Sequence, residues 1–317
     1  MSLSEFELIR KYFLGALPDA PGIIQGIGDD AAVMRIPADQ ELVLSMDTLI
    51  AGVHFPEQTP AEDIGYKSLA VNLSDLAAMG AEPRWITLSL TLPECNETWL
   101  QDFMRGFSEL ARQYSLALIG GDISKGPLSI TVQVHGWVPA GRAIYRHGAQ
   151  AGDLVYVSGT LGDAGLALRF MQDKITGSSS LADIPLVNRL FRPVPRIELG
   201  INLRGVASAA IDISDGLIAD LGHILSASHT GAEVHIDQLP MSDVVSNHED
   251  CINLALASGD DYELCFTVPP SHNRKLQGIP RDFPITCIGR ITRGTELEWL
   301  MKDGTRFNPD ISAYHHF

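Results

Sequence analysis

Short apolar runs alternate with amphipathic stretches along nearly the whole chain, and carboxylates stand beside glycines where one gives way to the next. An apolar run of about four to eight residues reads as a strand, and apolar positions three and four apart read as a buried helix face. Residues 41–45, 85–92, 116–119 and 128–138 read as strands, and 60–79 and 98–114 as helices. Ser4 and Glu7 have capping-box spacing, so a helix is expected at the start, ended by Pro18 and Pro21-Gly22. After a Gly- and Ala-rich break at 139–153, strands are expected at 154–158, 209–213, 234–236, 264–268 and 285–291, with helices after Gly165 and from Leu217. Residues 176–181 read as a surface loop. Such alternation predicts an α/β (α+β) chain, and 317 residues suffice for two domains, placed at 1–148 and 149–317.

The recurrent junction acids are Gly28-Asp29-Asp30, Asp47, Asn72-x-Ser74-Asp75, Gly120-Gly121-Asp122, Asp212-x-Ser214-Asp215-Gly216 and Gly259-Asp260-Asp261-x-Glu263. A single Asp beside Gly is ordinary turn or cap chemistry. Asp75, however, falls within an apolar helical stripe, and Asp212 within an apolar strand. An ionised carboxylate enters such surroundings only with a partner. Lys and Arg total 23 against 39 Asp and Glu, and few flank these motifs. Two carboxylates ~4 Å apart repel by ~4 kcal/mol at an effective dielectric of ~20, so clustering them demands cations. Oxygen donors without paired Cys or His favour a hard ion, Mg2+ first and Mn2+ or Ca2+ after it. EF-hand spacing is absent. Mg2+ on scattered carboxylates points to substrate phosphates completing the shell.

Other classes are disfavoured. A net charge of −16 carries no basic nucleic-acid footprint. No run of about 18 uncharged apolar residues is present, so no membrane span is expected. Charges interrupt the N-terminal apolar residues, and the expected compartment is the cytoplasm. Cys95, Cys251, Cys265 and Cys287 form no C-x-x-C pair and are expected to be buried free thiols. Walker, G-x-G-x-x-G and protein-kinase signatures are missing. The glycines of 120–121 and 159–165 could offer backbone donors to phosphate, and Arg142 and Arg146 could reach one.

Gly26-Ile27-Gly28-Asp29-Asp30-Ala31-Ala32, Ser45-Met46-Asp47-Thr48-Leu49, His54-Phe55, the segment from Lys67 to Ala81 with Asn72-Leu73-Ser74-Asp75, and Gly120-Gly121-Asp122 closely resemble bacterial thiamine-monophosphate kinases. So do Ile211-Asp212-Ile213-Ser214-Asp215-Gly216-Leu217, Ser258-Gly259-Asp260-Asp261-Tyr262-Glu263-Leu264 and Tyr314-His315-His316-Phe317. The resemblance spans about residues 5 to 317, with the motifs in order. It implies a two-domain fold like that of aminoimidazole-ribonucleotide synthetase. The N-terminal domains would pair into a dimeric, barrel-like β core, and the C-terminal domain would complete the nucleotide and substrate site. The implied reaction moves the γ-phosphate of ATP onto thiamine monophosphate, with several Mg2+ ions.

By the same resemblance, Asp30, Asp47, Asp75, Asp122, Asp212 and Asp215 are the Mg2+ carboxylates, with Ser45 and the Met46 carbonyl as auxiliary ligands. Gly121, Asp122, Arg146 and Ser214 contact ATP, and His54, Glu263 and Tyr314 contact the thiamine phosphate. Asp29 and Asp220 read as structural, a cap and a helix-face charge. The acceptor is an already ionised phosphate oxygen, so direct transfer needs no base or nucleophile. The alternatives are another ATP-dependent member of the superfamily, such as an aminoimidazole-ribonucleotide synthetase, and a non-catalytic metal-binding protein.

Overall fold

The structure is a computed structural model that describes residues 5–174, 186–280 and 284–309. The chain forms two compact units. One comprises residues 1–76 and 81–141, the other 77–80 and 142–317. The changeover thus falls between Gly141 and Arg142, a few residues before the expected position.

The first unit opens with α1 (Glu5–Leu8), which widens into a π-helical turn over Ile9–Phe13. Ser4, half of the expected capping box, lies outside the described residues. A two-stranded ribbon, β1 (Ile23–Gln25) and β2 (Val33–Met34), follows. The four-stranded sheet has the order β3 (Gln40–Ile50), β6 (Ser129–Pro139), β4 (Glu82–Leu92), β5 (Ala117–Lys125). It is antiparallel except where β4 and β5 run parallel. Period-2 alternation gives β3 two unlike faces. Leu49, Asp47 and Ser45 share one face, and Leu42, Leu44, Met46 and Ile50 stand exposed on the other.

The sheet carries α2 (Ala61–Ala78) and α3 (Glu97–Gln113). Asn96 caps α3 by accepting the Trp99 amide at 3.0 Å, and Leu100, Phe103, Phe107 and Leu110 form its buried stripe. The two helices touch backbone to backbone. A Cβ on Gly65 would lie 2.1 Å from the Phe103 carbonyl oxygen, and one on Gly106 would lie 1.9 Å from that of Glu62. These two glycines set how closely α2 can be held, and Asp75 rides on α2.

The second unit holds β7 (Leu154–Ser158), α4 (Asp163–Lys174), α5 (Val187–Phe191), α6 (Ile197–Leu203), β8 (Ala209–Asp212), α7 (Leu217–Ser228) and β9 (Gly231–His235). Short helices α8 (Asp243–Ser246) and α9 (Cys251–Ala257) precede β10 (Leu264–Val268) and β11 (Ile285–Thr292). The sheet order is β13-β12-β9-β11-β7-β10-β8, where β12 is Leu297–Leu300 and β13 Arg306–Phe307. Neighbouring strands are antiparallel apart from β12 and β9. One apolar cluster, with Val155, Val157, Ile211, Leu221, Ile224 and Ile288, packs α7 on this sheet. The expected loop at 176–181 lies outside the described residues. All four cysteines are free thiols, but only Cys265 is buried. Cys95 is exposed because it stands in the turn that leads into α3.

Candidate functional site

The loop over residues 26–32 faces the first residues of β5 across a groove of about 750 Å³ in the first unit. Asp30 and Asp122 both line it, and both are exposed. Gly121 forms part of the wall, and a Cβ there would lie 1.9 Å from the Leu88 carbonyl oxygen. Only a bare backbone fits against β4 at this point. Asp29 accepts the Asp30 amide at 2.8 Å, but the segment runs on into β2 and not into a helix, so Asp29 holds a turn instead of the expected cap. Asp122 accepts from the Ser124 hydroxyl at 2.8 Å. Arg10, together with Ile9, Phe13 and Leu14, also lines the groove. Sequence reasoning passed over Arg10, because a lone basic residue on a short N-terminal helix carries no signal.

Ser45, Asp47 and Asp75 meet on the inner face of β3. The Ser45 hydroxyl donates to Asp75 at 2.5 Å. The Asp47 amide donates to the Asn72 side-chain oxygen at 3.0 Å, and the Asn72 amide group donates to the Ser68 carbonyl at 3.0 Å. Asn72 is fully buried, one helical turn before Asp75, and fastens β3 to α2 where their acids face each other. Burial, and then the Asp75 charge, push Asp47 up to about 6. His54 accepts the Ile50 amide through Nδ1 at 3.1 Å, which puts the proton of its neutral ring on Nε2. Met46 points its side chain to the opposite, exposed face.

In the second unit, Asp212 ends β8 and is buried, and half-buried Ser214 and Asp215 follow in the turn before α7. A second loop is laced against this turn. The Asp260 amide donates to the Ser214 carbonyl and the Tyr262 amide to the Ile213 carbonyl, both at 2.8 Å. Gly216 has φ +104°, and a Cβ there would stand 2.8 Å from the Ala257 Cα, so the turn requires glycine. Asp220 departs from its reading as a helix-face charge. It is 2% exposed and accepts the amides of Ser214 and Asp215. Burial above all, with the Asp215 charge, pushes it up to about 7, while those amides and the Arg146 charge pull the other way.

Glu263 is fully buried. Its carboxylate accepts from the Ser158 hydroxyl at 2.6 Å, Arg189 Nη2 at 2.9 Å, and Arg196 Nε and Nη2 at 2.6 and 2.5 Å. A carboxylate has about four acceptor positions, and these bonds fill them. Glu263, expected to contact the thiamine phosphate, thus has both carboxylate oxygens engaged by two guanidiniums and a hydroxyl. Tyr314 lies outside the described residues.

The glycines of 159–165 also serve packing. A Cβ on Gly159 would fall 2.0 Å from a Glu263 carboxylate oxygen, one on Gly162 2.9 Å from the Leu254 carbonyl carbon, and one on Gly165 2.1 Å from the Ser258 Cβ. The Gly162 amide donates to both Asp261 oxygens, at 3.0 and 3.1 Å, so it is committed to a buried carboxylate.

Among the described residues no three His, Cys, Asp or Glu side chains converge as a metal-binding group. The structure offers one pair, Asp47 with Asp75, and places Asp30 and Asp122 along one groove. A carboxylate pair that raises its own proton affinity is what a hard cation relieves. Mg2+ ordinarily takes one or two carboxylates and fills its shell with water and phosphate. The donor set fits that ion.

Residues 28–138 match the AIR synthase related protein N-terminal domain, and residues 150–301 match the C-terminal domain. The chain is 47% identical to the thiamine-monophosphate kinase of Salmonella typhimurium, over 100% of this chain and 99% of that one. The crystal structure of thiamine-monophosphate kinase from Stenotrophomonas maltophilia is 48% identical and superposes with a TM-score of 0.86, covering 97% of this chain and 99% of that one. AaThiL complexed with AMPPCP and TMP is 33% identical, with a TM-score of 0.77 over 92% of each chain. Likeness of this extent, over both domains and nearly end to end, makes the chain a member of the thiamine-monophosphate kinase family.

Proposed function

We propose that the chain transfers the γ-phosphate of ATP to thiamine monophosphate, giving thiamine diphosphate and ADP. The observation that carries this reading is the Asp47–Asp75 pair, two carboxylates held face to face by Ser45 and Asn72. A family relative, AaThiL, is complexed with AMPPCP and TMP, which supports an ATP-dependent reaction in this family.

In the first unit Asp30, Asp47, Asp75 and Asp122 would hold Mg2+, with Ser45 and the Met46 carbonyl; in the second, Asp212 and Asp215 would. Bound there, Mg2+ supplies the positive charge that lets an anionic acceptor approach an anionic donor and that spreads the charge of the transferring group. The chain's own groups bind and orient. Gly121 and Asp122 would meet ATP along the groove wall that both line. Arg146 and Ser214 would also contact ATP. His54 is poorly placed as a base, because its basic nitrogen already accepts the Ile50 amide. Its Nε2–H is a donor suited to an anionic acceptor. A phosphate oxygen ionised at pH 7 has no proton to give up, so direct in-line transfer needs no base. Tyr314 belongs to the acceptor side in this reading. Glu263 does too, through the Arg189 and Arg196 guanidiniums that it fixes.

The working form is a homodimer in the cytoplasm. β3 is an edge strand, and its exposed row of Leu42, Leu44, Met46 and Ile50 suits a second copy of the first unit. Among the described residues no helix is long and apolar enough to cross a membrane. Incubation with ATP, Mg2+ and thiamine monophosphate should yield ADP and thiamine diphosphate in equal amounts. ADP released at the same rate without the acceptor contradicts the proposal.

A further inference from the structure

Asp220 is the fourth residue of α7, and its amide closes the first helical turn on the Gly216 carbonyl at 3.0 Å. Gly216 is the N-cap and has no side chain with which to cap. Asp220 reaches back instead. One oxygen, Oδ2, accepts both the Ser214 amide at 3.0 Å and the Asp215 amide at 3.1 Å. The reach resembles a capping box, displaced one residue along the helix and directed at the turn before it. The groups around this carboxyl are the Asp215 charge on its own turn, the Arg146 guanidinium charge from the segment before β7, and the Cys265 thiol on β10. The carboxyl is enclosed, and the two amides fix the position of its accepting oxygen.

We propose that Asp220 is a positioning residue for the nucleotide side of the reaction. A single oxygen fixes the backbone of Ser214 and Asp215, and so fixes where their side chains are presented. Spending both amides on Asp220 leaves the turn to act through its side chains, the Ser214 hydroxyl and the Asp215 carboxylate. The inference rests on reading Ser214 as an ATP contact and Asp215 as a metal carboxylate.

Three variants separate geometry from charge. Asp220→Asn retains an oxygen at the accepting position and loses the charge. Asp220→Glu retains the charge and displaces the oxygen by about one methylene. Asp220→Ala loses both. Residues that orient metal ligands commonly contribute about 10–100-fold. Asp220→Glu and Asp220→Ala should therefore raise the KM for ATP, and the Kd for a non-hydrolysable ATP analogue measured by calorimetry with Mg2+, by about tenfold or more. The KM for thiamine monophosphate should stay within about twofold. Asp220→Asn should remain close to wild type in all three. If Asp220→Ala does not fold, the Asn and Glu variants decide the matter by themselves.

An Asn variant as impaired as Glu overturns the proposal, and so does a Glu variant with unchanged analogue affinity, whatever its melting temperature. Ser214→Ala and Asp215→Asn, run in parallel, separate the two levels. If neither alters analogue affinity, the reading of the turn fails and the inference with it. If both do and the Glu variant does not, the inference alone fails.

Discussion

Asp75 sits among buried residues of α2, with Asn72 one turn before it and the Ser45 hydroxyl against its carboxylate. Its charge repels Asp47, so its value lies in what the pair attracts. Asp75→Asn should lower kcat by more than about 10³-fold, near ~4 kcal/mol in the barrier, with thermal stability unchanged or higher. Half the wild-type rate at saturating Mg2+ would contradict the role. Asp261 gives a pH-dependent counterpart in the second unit. Burial foremost raises it well above the usual carboxylate range. Stability tied to its neutral form is complete below about pH 4, the unfolded value, and is lost as pH climbs through the folded value. Asp261→Asn keeps an oxygen for the Gly162 amide and cannot ionise. Its melting temperature relative to wild type should rise with pH, and a gap that stays flat would contradict this. At this scale the sequence disclosed carboxylates, because an acid inside an apolar run demands a partner. It did not disclose Asp220, Arg189 or Arg196, whose partners are 5, 74 and 67 residues away.

The longer elements were legible because their apolar periods are long enough to be unambiguous. β4, α2, α3 and β6 lie within a few residues of where the pattern places them. β12 and β13 were not, since strands of four and two residues carry no period. Glycine roles were hidden for another reason. Gly65, Gly106 and Gly159 are needed because a different part of the chain comes against them. Gly106 provides the test. Helix propensity alone favours alanine by about 1 kcal/mol, yet a Cβ would collide with the Glu62 carbonyl on α2. Gly106→Ala should therefore cost about 2 kcal/mol in urea unfolding. A neutral or stabilising substitution would mean that α2 and α3 pack less closely.

For the whole molecule, the exposed row on β3 is the feature that a single chain does not account for. Leu44 is 52% exposed and Met46 60%, on an 11-residue edge strand. The account expects a particle of twice 34.4 kDa by light scattering, and Leu44→Asp should run at the single-chain mass. Wild type at the single-chain mass at micromolar concentration would contradict the dimer. The central claim concerns the acceptor. A site of carboxylate pairs suits an oxygen that arrives ionised, whereas the hydroxyl of thiamine needs a base and stops one phosphoryl group short. A misplacement of ~1 Å can cost ~10²-fold. The most direct measurement is steady-state kcat/KM for thiamine monophosphate and for thiamine at the same ATP and Mg2+. The account predicts that the monophosphate is favoured by more than about 10²-fold, and comparable values for the two would contradict it.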